Sequence, residues 1–121
     1  MLLAEHFHQD PASRLFTLHR VYNEVCAAGL PTGHGPFSVF LQLTGGHGPT
    51  PLTLRLVDAD EAGPPLLEAT LPLVFPDPLS IHNVHYRHSA VRFGRPGLYL
   101  LQLWACGRCI GECRLLARLR P

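Results

Sequence analysis

Apolar residues recur at every second position through a series of short stretches. In Pro36 to Leu43 they are Phe37, Val39, Leu41 and Leu43, and in Leu52 to Val57 they are Leu52, Leu54 and Leu56. Leu67 to Phe75 continues the pattern with Leu67, Ala69, Leu71 and Leu73. Val84 to His88, Gly97 to Cys106 and Cys109 to Leu119 complete the series. A period of two places one row of side chains on one face of an extended chain, so each stretch predicts a half-buried β-strand. Twelve prolines and eleven glycines punctuate the chain. Short alternating strands divided by turn residues predict an all-β fold: an antiparallel β-sandwich of about seven to eight strands that closes with a C-terminal hairpin.

The last two stretches meet around Gly107-Arg108, and their faces set a condition on that hairpin. Tyr99, Leu101, Leu103 and Ala105 form one apolar row, and Cys113, Leu115, Ala117 and Leu119 form the other. A simple turn at Gly107-Arg108 sets Ile110, Glu112 and Arg114 beside the first row instead. One extra residue restores the parity, either as a bulge at Gly111, where glycine tolerates the conformation, or as a longer loop.

The N-terminal part reads differently. Leu15, Leu18, Tyr22 and Val25 recur at helical spacing with Arg14, Arg20, Asn23 and Glu24 between them. Periodicity alone therefore leans towards an amphipathic helix over Ser13 to Ala28. A strand over Leu15 to Val21, burying Phe16, Leu18 and Val21, is the competing reading.

Composition adds the scale. A chain of 121 residues, 46% hydrophobic and 16% charged, fits one globular domain over 1–121 with an ordinary core. Ten basic residues against nine acidic leave a net charge of +1, and every basic residue is Arg. Arg forks suit phosphates, but the richness in Ala, Gly, Pro, Leu and Arg points to GC-rich codon usage instead. The one local excess, Arg108, Arg114, Arg118 and Arg120 against Glu112, is short and lacks interleaved aromatics, so no nucleic-acid surface is expected. Met1-Leu2-Leu3-Ala4 runs into Glu5 and His6 without a signal-peptide pattern, and no apolar run approaches a membrane span. The expected compartment is the cytoplasm, with the four cysteines reduced.

Candidate chemistry is sparse. Cys106-Gly107-Arg108-Cys109, followed by Cys113, presents thiolates on a turn as a zinc knuckle does. A second Cys-x-x-Cys is missing, so Cys113, Cys26 or a histidine would have to complete a tetrahedral set; the plain alternative is free thiols beside a turn, with Cys113 a small core residue. His82, His85 and His88 are spaced by three, which on a strand puts His85 opposite the other two. His6 and His8 share a strand face and could form half a site, but solvated or hydrogen-bonded side chains are the expected state of these histidines. The repeated tetrapeptides Gly33-His34-Gly35-Pro36 and Gly46-His47-Gly48-Pro49 flank the strand Phe37 to Leu43, which holds them roughly 25 Å apart. Turn chemistry accounts for both. Asp58, Asp60 and Glu61 cluster in one turn and read as a solvated loop. No nucleophile elbow, phosphate loop or zinc-protease motif is present, so neither catalysis nor a cofactor is expected.

One feature does point outward. Leu98, Leu100 and Trp104 occupy the nominally outer face of the fifth strand, with Gln102 the only polar member. Such a row suggests a protein partner or self-association, rather than nucleic acid or membrane; the equal alternative is that a helix or the N-terminal segment covers this face. The expected function is a non-catalytic interaction or scaffold module acting through Leu98, Leu100 and Trp104. The alternative is a small domain stabilised by zinc at Cys106, Cys109 and Cys113.

Several local runs also go together. Leu2-Leu3-Ala4-Glu5, Gln9-Asp10, Arg14 to Leu18, Tyr22 to Val25, Gly29-Leu30-Pro31, Gly35 to Phe40, Leu54 to Asp58 and Phe93 to Tyr99, ending in the hairpin, resemble a bacterial family known as domain of unknown function 6941. The resemblance covers most of the chain. It implies a β-sandwich of this length in which Leu15 to Val25 is extended and follows a first strand at Leu2 to Phe7, and it overrides the local helix pattern. It implies no activity. Cys106 departs from it, standing where an Asp before Gly is typical.

Overall fold

The computed structural model describes residues 1–29, 32–60 and 63–120. Among these the chain forms strands and no helix, in the order β1 (Leu2–Gln9), β2 (Phe16–Val21), β3 (Glu24–Ala27), β4 (Thr32–His34), β5 (Phe37–Leu43), β6 (Gly48–Pro49), β7 (Leu52–Asp58), β8 (Leu67–Leu71), β9 (Val74–Phe75), β10 (His82–His88), β11 (Val91–Phe93), β12 (Gly97–Ala105) and β13 (Arg108–Leu119). The fold is all-β. Two sheets dominate it: a four-stranded sheet in the order β10-β5-β1-β2 and a five-stranded sheet in the order β3-β13-β12-β7-β8. Their alternating apolar rows meet in one buried cluster, to which Leu3, Val39 and Leu41 come from the first and Leu54, Leu56, Leu101 and Leu115 from the second. The alternation read along the chain is the cause: β7 buries Leu52, Leu54 and Leu56 while Thr53, Arg55 and Val57 point the other way.

Residues 13–28 are extended where described, not helical. The helical spacing has a topological origin. The chain leaves the four-stranded sheet after Val21 and enters the five-stranded sheet at Glu24, where β3 pairs with β13. Each half has its own inward face, so the apolar phase resets at the crossing and two strand patterns add up to a false helical one. The β3–β13 pair is parallel, an exception in an otherwise antiparallel arrangement. The long stretch Leu67 to Phe75 is also broken: β8 ends at Leu71, and beyond Pro72 and Leu73 the chain pairs as β9 with β6.

The closing hairpin turns at Cys106-Gly107, with Ala105 opposite Arg108, one residue earlier than the sequence suggests. Both turn residues have positive φ, 52° and 75°, as a type I′ turn requires. The parity defect is repaired by a bulge, one of the two ways expected, beside Gly111 rather than at it. The register shifts between Leu103, opposite Gly111, and Trp104, opposite Cys109, which leaves Ile110 as the extra residue. Beyond the bulge Cys113 faces Leu101, Leu115 faces Tyr99 and Ala117 faces Gly97.

Two further features follow from particular residues. Phe7 stacks on His85 with ring centroids 4.0 Å apart and lies 5.8 Å from Phe40, whose ladder partner is Leu2. Contact between Phe7 and a residue paired five positions earlier in β1 means that the β1–β2 hairpin bends back over the sheet's outer side. Arg20, with φ of 58°, marks the bend. At the start of β12 the Tyr99 hydroxyl donates to the carbonyl of Arg95 at 2.8 Å, a tyrosine corner that clamps the turn Arg95-Pro96-Gly97. Arg95 in turn donates from Nε to Asp58 at 2.7 Å and reaches Asp60 at 3.3 Å. Asp58 is therefore not part of a solvated loop: it is buried, and the guanidinium and the Asp60 amide hold its carboxyl below the usual range. Glu61 lies outside the described residues.

The two Gly-His-Gly-Pro tetrapeptides sit in different ladders. Gly33 and His34 pair with β11, while Gly48 and Pro49 pair with β9. A side chain at Gly46 would collide with the Phe75 ring, which packs flush against that backbone.

Candidate functional site

The outer face of the five-stranded sheet is fixed by the registers of β12 with β13 and β7. Side chains directly opposite one another in a ladder share a face. Leu98 therefore neighbours Leu116, and Leu100 lies between Arg114 and Val57. Gln102 lies between Glu112 and Arg55, and Trp104 between Cys109 and Thr53. Leu98, Leu100 and Trp104 do share one face, as the sequence indicated. Val57 and Leu116 join them there, which alternation within one strand could not reveal; the β12–β7 register supplies Val57 and the closing hairpin supplies Leu116.

The face is not a uniform apolar row. A polar belt crosses it at the level of Gln102. Gln102 Nε2 donates to Glu112 at 3.5 Å, the Trp104 indole donates to Gln102 at 3.1 Å, and Arg55 Nε stands 3.3 Å from Glu68. That last contact is an ion pair without hydrogen-bond alignment, and Arg55 Nε is buried without another partner. On one side of the belt lie Leu98, Leu100, Val57 and Leu116; on the other lies Trp104. All five are half-buried, and none belongs to the core cluster or packs against it. Among the described residues no strand crosses this face. Gly63 and Pro65 rim a shallow groove along Val57, Gln102 and Trp104, and a second groove runs between Glu24, Leu98, Arg114 and Leu116.

The cysteines do not converge. Cys109 opposes Trp104 on the outer face, whereas Cys113 opposes Leu101 on the inner one. Cys106 and Cys109 are exposed, and burial pushes the Cys113 thiol up. Cys26 is exposed on β3, with its thiol 3.7 Å from Glu24. Among the described residues no group of three or more His, Cys, Asp or Glu side chains is placed to hold a metal ion.

Four histidines are committed to packing. His34 Nε2 and the Tyr22 hydroxyl are hydrogen-bonded at 2.9 Å, and burial lowers the His34 pKa while raising that of Tyr22 to about 12. His85 lies against Phe7, and its pKa is lowered by desolvation and then by Arg87. His88 Nδ1 and the Tyr86 hydroxyl are 3.0 Å apart, and His82 packs edge-on to Phe75. His82 and His88 share one face of β10 and His85 takes the other.

No helix of the described residues is long and apolar enough to cross a membrane. A family model described as a family of unknown function, DUF6941, matches residues 1–118, and the chain belongs to that family. No curated protein and no solved structure matches it.

Proposed function

We propose that this member of the DUF6941 family is a non-catalytic interaction module that self-associates through the outer face of its five-stranded sheet. The observation that carries the reading is the cluster of Leu98, Leu100, Val57 and Leu116 beside Trp104. A sheet face with this much apolar surface outside the core is a docking surface by its chemistry. A second copy of the chain is the partner that its charges fit. A two-fold axis along β12 would lay the polar belt on its own reverse, setting Glu112 of one copy over Arg55 of the other. Leu98, Leu100 and Trp104 would then meet their own counterparts, as an isologous interface requires. A net charge of +1 gives two copies little cause to repel. We place the module in the cytoplasm, where four free thiols fit a reducing milieu.

Sedimentation across micromolar concentrations tests the reading. The expected result is a dimer that Leu100→Arg converts to monomer. Glu112→Arg should weaken it, and the charge swap Arg55→Glu/Glu112→Arg should restore it, with the β-sheet circular dichroism unchanged throughout. A strict monomer at every concentration, or a dimer indifferent to these variants, overturns it.

A further inference from the structure

Three of the four histidines that packing does not use, His6, His8 and His19, fall together, while His47 lies elsewhere. In the β1–β2 ladder His6 stands directly opposite His19, and His8 stands opposite Thr17. Direct cross-strand partners have Cβ atoms about 4.5–5.5 Å apart, and residues two apart on a strand share a face at roughly 7 Å. His6, His8 and His19 therefore occupy one patch on the hairpin. All three are exposed, because the bent-back hairpin turns Phe7 and Phe16 towards Phe40 and leaves the alternate positions to solvent. None of the three makes a hydrogen bond or ring contact among the described residues, unlike His34, His82, His85 and His88, so their ring nitrogens are uncommitted. Arg20, the nearest positive side chain in sequence, is drawn to Glu5 at 3.4 Å. Asp10, two residues beyond His8, has its carboxylate engaged by the Ala12 amide at 2.8 Å.

We propose that the β1–β2 hairpin carries a surface site for a borderline divalent cation of the nickel, copper and zinc group, with His6 and His19 as the cross-strand ligand pair and His8 the neighbouring imidazole on the same face. Imidazole suits these ions, and water completes the shell at an exposed site of this kind. Because His6 and His19 are direct ladder partners with exposed side chains, both imidazoles can turn to one ion by a choice of staggered rotamers. A chelate across β1 and β2 also ties the bent hairpin together, so the ion should raise the melting temperature of the chain it binds.

Calorimetric titration of the full chain with nickel(II) at neutral pH tests the site. The expected result is one ion per chain and an affinity that falls at least about tenfold in His6→Ala and in His19→Ala, the scale of loss already caused by removing a mere outer-shell partner. His47→Ala, which alters an exposed histidine elsewhere, should bind as the parent does. Cys106→Ser/Cys109→Ser should also bind normally, which separates this site from the cysteine turn. The substituted positions are exposed, so metal-free melting temperatures should match the parent and show that the variants fold. Absence of stoichiometric binding, or parental affinity in His6→Ala and His19→Ala, overturns the proposal. Loss in His6→Ala and His8→Ala with His19→Ala intact overturns the cross-strand assignment, because it confines the ligands to one strand.

Discussion

At Cys106 the backbone has φ of 52°, a conformation that suits Asn, Asp or Gly, and Gly107 follows at 75°. The type I′ turn thus has its glycine in the second position and a poorly suited residue in the first. Cys106→Asn should raise stability by about 0.5–1 kcal/mol, read as a higher urea midpoint with an unchanged slope. The sequence places the turn one residue late because glycine marks a turn without saying which of its central positions it fills. His34 carries a second consequence at this scale. Burial holds its pKa below the ordinary value, with Glu5 opposing in part, so the folded chain binds a proton less readily than the unfolded one. The stabilisation is complete above about pH 6.5, the unfolded value, and is lost as pH falls through that value towards the folded one. The melting temperature should fall over that interval, and less steeply in His34→Gln, where no imidazole titrates beside Tyr22. Neither His34 nor Asp58 was legible in advance, because their partners Tyr22 and Arg95 are brought up by other segments.

Among the elements, the closing hairpin shows how far alternation alone reaches. The mismatch between the rows of β12 and β13 required one extra residue, and Ile110 supplies it beside Gly111. Deleting Ile110 should leave Cys113, Leu115 and Ala117 opposite Leu101, Tyr99 and Gly97, and the variant should fold with a loss of no more than about 1 kcal/mol. Deleting Arg114 is different in kind. With Leu115 kept in register and the bulge absorbed, Glu112 moves opposite Leu101 on the core face and Cys113 moves out. Burying an unpaired carboxylate there should cost several kcal/mol. Chemical denaturation of the two variants distinguishes them: a severe loss in the Ile110 deletion would show that the bulge is needed for more than parity. The N-terminal segment marks the limit of the same reasoning, since a period read across Val21 to Glu24 mixes two faces belonging to two sheets.

For the whole molecule, the arrangement of two sheets around one core leaves each with an outer side, and the two are treated differently. The four-stranded sheet is partly covered by its own hairpin, through Phe7 and Phe16 on Phe40 and His85. The five-stranded sheet has no described strand across it and keeps Leu98, Leu100 and Trp104 half-buried at its surface. If the second face is closed by another copy, folding and association are linked, and the melting temperature should rise with protein concentration. Differential scanning calorimetry over a hundredfold range checks this. In Leu100→Arg the midpoint should be independent of concentration.

The amino-acid sequence by itself determined the all-β class, the main strand segments, the inward row of each and the need for an extra residue in the last hairpin. These follow from side-chain alternation and turn chemistry, which act between neighbours along the chain. Tertiary structure alone decided which strands pair, that β3 runs parallel to β13, that the first hairpin bends back on its sheet, and that His19 stands opposite His6. It also gathered Val57 and Leu116 around Leu98 and Leu100. Each depends on register between segments distant in the chain, and the free energy that fixes register comes from burying whole faces together, which no local pattern records.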